Sequence, residues 1–345
     1  MRRVLLGVCA ASLLAGQDAP QAVIRETFPF VLAPVTVTDR DGRFVDGLTP
    51  LDFRLFDNGK PQKVTQDIAS HPISLVVVVQ SNGAVEKILP QVQKIGSVID
   101  GLVTGENGEV AVVAFDHRIQ TLTEFTSDPD KITAALKKLK PGSWSSRMND
   151  AAMEGVNMLR NRPATQRRTM LLISESRDNG SEIKYRDVLT AAEFANVVIY
   201  SVNMSRVLAS LSTQAQPPRP NPIPLEGRHT TGGVIDTPTT DSQMAMGNWT
   251  PVFTEIFKDV KGIFVPNPLA VYTRYTGGRE YSFMTQKTLE KAVADIGEEL
   301  HSQYLLTYSP SNQNEAGFHE IVVQVLHPDL KVRTRDGYWL AGKPE

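Results

Sequence analysis

The sequence predicts an α/β fold, a doubly wound and mostly parallel sheet with small β extensions at both ends, and three observations carry that prediction. Residues 73–79 form a nearly continuous β-branched run, the pattern of a strand buried on both faces. From there to Val202, strand-like and helix-like segments alternate, which implies parallel strands joined by right-handed crossovers. Before it, residues 35–38 and 53–56 are short β-type runs separated by the turn signals Asp39–Gly42 and Asp57–Gly59, as in tight antiparallel connections.

The elements follow in order. Residues 85–103 place Ile88, Leu89, Val92, Ile95, Val98, Ile99 and Leu102 at three-to-four spacing, which predicts one amphipathic helix with Pro90 near its first turn. Residues 109–115 and 119–125 read as strands. Asp128 caps a helix running to Leu139, with Pro129 in the first turn. A helix over 148–159, a strand over 169–174, a helix over 185–195 and a strand over 196–202 complete the alternation. From 205 to about 267 the rhythm fails, because the prolines between 217 and 224 block helix and ladder alike. This predicts a partly disordered insertion, in which residues 252–260 have helical spacing and Phe253, Ile256 and Phe257 dock back on the body. Regularity resumes with a helix over 269–275 ended by Gly277 and Gly278, a short strand, a helix over 288–301 and a strand over 303–309. Residues 320–326 and 330–335 read as a terminal β-hairpin around His327.

Composition removes several function classes. Lys and Arg total 36 against 38 Asp and Glu, so no global positive field exists to hold nucleic acid. Met1, Arg2 and Arg3 precede an apolar run over 4–15, which reads as a secretory leader and is too short to span a bilayer. The expected location is therefore periplasmic, cell-envelope or extracellular. Cys9, the only cysteine, lies in that leader, which excludes a disulfide framework for the mature chain. The predicted division is a signal peptide over 1–21, an N-terminal β extension over 22–72, the α/β domain over 73–310 with its insertion at 205–267, and a C-terminal hairpin over 311–345.

No catalytic set stands out. Six histidines at 71, 117, 229, 301, 319 and 327 give no pair on one helical face. Residues 142–146 lack the glycine spacing of a nucleophile elbow and read as a turn, with Asp150 as its hydrogen-bond partner. The cluster Arg160, Arg162, Arg167 and Arg168 reads as a solvated helix end and linker.

Several strings occur in a fixed order: 37–42, Gly47-Leu48, Asp52-Phe53, 76–84, 112–116, 149–151, 171–174, 276–278, 303–308 and 332–338. In that order they resemble the von Willebrand factor type A-related proteins of the acidobacterial type, exported chains with a type-A domain between short β extensions. The resemblance spans nearly the whole mature chain and implies a Rossmann-like type-A domain that binds another protein. In the wider family, the loop after the first central strand carries a metal-ion-dependent adhesion motif, Asp-x-Ser-x-Ser, completed by a Thr from a second loop and an Asp after a later strand. Such a site offers a hard divalent cation oxygen ligands and carboxylate charge.

The corresponding positions here depart from that pattern. Gln80, Ser81, Asn82 and Ala84 occupy the first loop, Ser146 stands at the Thr position, and Glu175 follows the strand over 171–174. Gln for Asp removes a charge, Asn for Ser replaces a hydroxyl by an amide, and Ala84 deletes a ligand oxygen. The expected reading is a degenerate site without metal or cofactor, whose amides bond the neighbouring loops and whose polar rim faces a protein partner, with no enzymatic activity. One alternative is a metal-dependent adhesin in which Ser146, Glu175 and the nearby Asp116, Asp150 and Asp178 rearrange around magnesium. The other is a hydrolase using insertion residues such as His229 or Asp241.

Overall fold

The computed structural model describes residues 30–67, 72–103, 108–163, 165–204, 267–312 and 314–340. The expected leader and most of the expected insertion, including its proline run, His229, Asp241 and Phe253, lie outside the described residues. Four short strands come first: β1 (Val31–Thr38), β2 (Phe53–Asp57), β3 (Lys60–Gln62) and β4 (Val64–Asp67). The α/β part runs through β5 (Ile73–Gln80), α1 (Leu89–Val92), α2 (Gly96–Val103), β6 (Glu109–Phe115), β7 (Ile119–Thr126), α3 (Pro129–Lys137), α4 (Met148–Arg160), β8 (Arg167–Ser174), α5 (Tyr185–Phe194) and β9 (Val197–Met204). It resumes with α6 (Pro268–Thr276), β10 (Glu280–Phe283) and α7 (Gln286–Ser302). Then come β11 (Tyr304–Tyr308), β12 (Gly317–Val325), β13 (Lys331–Arg333) and β14 (Gly337–Leu340).

All eight residues of β5 are buried, as the apolar run requires, because helices cover both faces of its sheet. Leu75, Val77 and Val79 face Ile132 of α3 and Leu289, Val293 and Ile296 of α7. Val76 and Val78 face Met148, Ala152 and Val156 of α4, together with Val188 of α5 and Tyr272 of α6. The strand order is β10-β9-β8-β5-β6-β7, parallel throughout except for β7. The chain leaves β5 toward β6 on one side and later returns to β8 on the other, so the switch point lies at the carboxyl ends of β5 and β8.

Local signals act as their chemistry demands. Asp128 caps α3 by accepting from the N–H groups of Asp130 and Lys131. Gly277 ends α6 at φ 84, a conformation that costs a Cβ-free residue little. The single helix expected over 85–103 is instead a tight turn at Gly83–Val85 followed by α1 and α2. Pro90 sits in the first turn of α1, and the break brings Gly96 against α3, where a Cβ would lie 2.6 Å from Thr133 Oγ1.

The remaining strands form a sandwich of two antiparallel sheets, β13-β1-β11-β4 and β14-β12-β2-β3. Val31, Ala33, Val35 and Val37 of β1 meet Phe53 and Leu55 of β2 and Ile321 and Val323 of β12 in its core. This corrects the expected terminal hairpin: β12 pairs with β2 and β14, whereas β13 pairs with β1 in the facing sheet. Both strands direct apolar residues at the same core from opposite sides. Pairing them with each other would strip β1 and β2 of a neighbour.

The sandwich covers the amino ends of the parallel strands, and the reading of the arginine cluster is corrected for Arg162, Arg167 and Arg168, whereas Arg160 is exposed at the end of α4. Arg167, at the start of β8, is buried and donates to the Leu300 carbonyl and, at 2.9 Å, to Gln303 Oε1. Arg168 donates to the carbonyls of Ala195 and Arg162, and Arg162 pairs with Glu109 while lying over the Phe125 ring. These guanidiniums satisfy chain ends that the junction removes from water. Glu299 of α7, fully buried, is the other fastener, accepting from Tyr200 at 2.9 Å and from Arg333. With the sandwich at the amino end, the carboxyl edge is left to the loops.

Candidate functional site

Gln80 is the last residue of β5, and its side chain is completely buried between the ends of β5 and β8. Its Oε1 accepts from Ser174 Oγ at 2.8 Å and from the Glu175 N–H at 2.9 Å. Its Nε2 donates to Asn82 Oδ1 at 2.9 Å and to Glu175 Oε1 at 3.1 Å. Those four bonds use the whole hydrogen-bonding capacity of a primary amide. They also fix its orientation, since a carboxylate oxygen only accepts and a backbone N–H only donates. The amide therefore presents N–H to the two side-chain oxygens, Asn82 Oδ1 and Glu175 Oε1. A hard divalent cation seeks oxygens of this kind, about six of them with carboxylate charge.

The other predicted positions hold the loops. Ser81 is bonded to the end of β6: its N–H reaches the Phe115 carbonyl at 2.8 Å and its Oγ the same oxygen at 3.2 Å. The Ser81 carbonyl accepts from Gly142, and the Ser143 carbonyl from Gly83, so the 142–146 segment is zipped onto the loop after β5. Gly83 allows the Trp144 ring to pack there, since a Cβ would lie 3.2 Å from that ring. Asn82 donates weakly to the Trp144 carbonyl at 3.4 Å. Ala84 lies in the short turn at Gly83–Val85 and is partly exposed. Ser146 is tied to the loop after β8, its N–H on Asn179 Oδ1 at 2.7 Å and its Oγ donating to the Arg177 carbonyl at 3.0 Å.

The structure therefore unites Gln80, Asn82 and Glu175 in one network and places Ser81 and Ser146 in two adjoining ones. The expected exposed polar rim lies beneath the surface: Gln80, Ser81, Asn82, Ser146 and Glu175 are all buried. The reason is that their mutual bonds draw the three loops over them. The residues of these loops that reach solvent include His117, Arg118, Arg177 and Asn179, with Ala84, Ser143 and Trp144 half-buried.

The neighbouring carboxylates are engaged elsewhere. Burial alone would raise the Asp116 pKa, but the backbone N–H groups of Arg118 and Ser143, the Arg118 guanidinium and nearby His117 hold it below the usual carboxylate range. A Cβ at Gly142 would collide with that carboxylate, so glycine is required there. Asp150 accepts from the N–H groups of Glu182 and Ile183 and from Arg147, not from the 142–146 turn as expected. Asp178 caps the loop through Ser181 and binds the Asn149 N–H at 2.8 Å. No group of three or more His, Cys, Asp or Glu able to hold a metal occurs among the described residues.

Sequence reasoning missed two partners. Ser174 ends a strand and carries no pattern of its own, although the residue facing a strand-end Gln across the switch point is a natural place to look. His117 Nδ1 lies 2.9 Å from Ser143 Oγ, a contact between residues 26 apart. It does not form a nucleophile–base–acid relay, because Asp116 meets the same ring nitrogen, at 3.1 Å, and not the opposite one.

Residues 70–177 match the family model described as von Willebrand factor type A domain. No curated protein matches the chain. Among solved structures it is similar to an aerotolerance-related membrane protein from Bacteroides fragilis, at 13% identity over 65% of this chain and 98% of that one, with a TM-score of 0.39. It is also similar to BatB from Bacteroides thetaiotaomicron, at 13% identity over 66% and 99% of the two chains with a TM-score of 0.38. A von Willebrand factor type A protein from Catenulispora acidiphila aligns at 8% identity over 92% and 64%, with a TM-score of 0.45. No helix among the described residues is long and apolar enough to cross a membrane. Residues 70–177 thus match the von Willebrand factor type A domain, within a fold whose mostly parallel sheet is accompanied by two antiparallel ones.

Proposed function

We propose that the chain is an exported, non-enzymatic protein-interaction module whose carboxyl-edge site is a degenerate adhesion site, held together by the Gln80 amide in place of a divalent cation. Domains of this family commonly bind proteins. The observation that carries the reading is the saturated Gln80 amide, whose N–H groups already occupy Asn82 Oδ1 and Glu175 Oε1. A cation would have to displace a donor that is itself fully bonded, and Glu175 is the one carboxylate in the network. A rearranged ligand set has less support, because Asp116, Asp150 and Asp178 each have other partners. Export rests on the leader over 1–21, and the acidobacterial type on the ordered strings.

On this reading the buried network shapes the loops, and the partner touches the exposed His117, Arg118 and Arg177 and the half-buried Trp144. The test is capture of envelope proteins by the immobilised chain. The same partner should be retained in EDTA and in magnesium, and lost on Arg118→Glu combined with Arg177→Glu. Capture that EDTA abolishes would overturn the metal-free reading. Retention by the double variant would overturn the contact surface.

A further inference from the structure

The sandwich contains a buried carboxylate–imidazole pair unrelated to the carboxyl edge. Asp57 of β2 and His319 of β12 are both completely buried. His319 Nδ1 lies 2.6 Å from Asp57 Oδ1, and its Nε2 lies 2.7 Å from the Glu315 carbonyl oxygen. A carboxylate and a carbonyl both accept and neither donates. The Asn312 amide and the Tyr338 hydroxyl also come within 3.3 Å of Nδ1, but the amide donates to Asp57 and Glu315 and the hydroxyl to Asp57, so a neutral imidazole, with one N–H, would set a lone pair against a lone pair on its other side. We propose that His319 is held as a doubly donating imidazolium that locks the two sheets of the sandwich together.

The groups around the ring support this. The second oxygen of Asp57 accepts from Tyr308 at 2.8 Å and Tyr338 at 2.7 Å, and Asn312 donates to the first at 2.9 Å. Burial raises the Asp57 pKa, but Asn312, Tyr338, His319 and Tyr308 outweigh it and keep the carboxylate below its usual range. Tyr308 belongs to the sheet of β1, whereas Asp57, His319 and Tyr338 belong to the facing sheet, so the cluster pins one sheet to the other. Glu315 is itself paired with Lys60 of β3. The Arg335 guanidinium lies 5.5 Å from the Tyr338 ring centroid and is the counter-charge of Glu193 on α5.

Two measurements on the full chain decide the matter. In the ¹⁵N spectrum of the histidine rings at neutral pH, His319 should show both nitrogens protonated. One nitrogen in the unprotonated range overturns the proposal. Hydrogen exchange in Asp57→Asn protein tests the lock: amides of β2 and β12 should exchange about tenfold faster than in the parent, relative to those of β5 and β8. A ratio within about twofold of the parent's overturns it.

Discussion

Gln80 and Glu175 bond each other twice, the Gln80 carbonyl oxygen accepting from the Glu175 N–H at 2.9 Å and the Gln80 amide donating to Glu175 Oε1 at 3.1 Å. The β5–β8 ladder ends at the pair Val79 and Ile173, and the Gln80 side chain continues it beyond the last backbone pair. Gln80→Leu would leave Ser174, Asn82 and both polar groups of Glu175 without this partner in a buried site. The expected loss is about 2–4 kcal/mol of unfolding free energy, read from urea denaturation. A loss within about 0.5 kcal/mol would mean that the network does not hold the loops.

Restoring the missing donors should create a cation response. Gln80→Asp combined with Ala84→Ser removes the competing N–H groups and supplies a second carboxylate and a hydroxyl. At saturating magnesium the melting temperature of this double variant should rise by about 5 °C, and that of the parent should not move. An equal rise in both proteins counts against the account.

Gly142 is required by the Asp116 carboxylate beside it. Gly142→Ala should displace the 142–146 segment and cost about 1–3 kcal/mol. Its sharper signature is loss of partner capture while the far-ultraviolet circular dichroism of the central sheet is preserved. Intact capture would show that the segment does not shape the contact surface.

Glu193 joins α5 to the sandwich, accepting from the Trp339 N–H at 3.2 Å beside Arg335. Burial pushes its pKa up to about 7, against the opposing effects of Arg335 and Trp339. Because the folded value exceeds the ordinary 4.5, the fold favours the protonated form. Its stabilising effect is complete below the ordinary value and disappears as pH rises through about 7. Glu193→Gln should therefore remove about 1–3 kcal/mol of the stability difference between pH 4 and pH 8, measured by denaturant titration at both. An unchanged difference would assign the pH dependence to other groups.

Much of this architecture is written locally. The apolar run of β5 can be satisfied only between two helical layers, and Asp128 with Pro129 marks the start of α3 without reference to the rest of the chain. Gln80, Asn82 and Glu175 were legible as neighbours through the resemblance, which sets them at positions of one family motif. What was hidden depends on distant partners. Nothing in residues 317–333 says that β12 and β13 belong to opposite sheets, since that choice is made by β1 and β2, more than two hundred residues earlier. Arg167 and Arg168 read as solvated because their acceptors, the carbonyls of Leu300 and Ala195, have no side-chain signature. The rim residues read as exposed because loop closure over a polar network comes from the bonds themselves, and Ser81 and Ser146 turn to other loops for the same reason.

The most direct measurement is calorimetric titration of the parent protein with magnesium and manganese chlorides. The Gln80 account predicts no saturable binding at either ion through millimolar concentration. Micromolar binding of one cation per chain, abolished by Glu175→Ala, would contradict it.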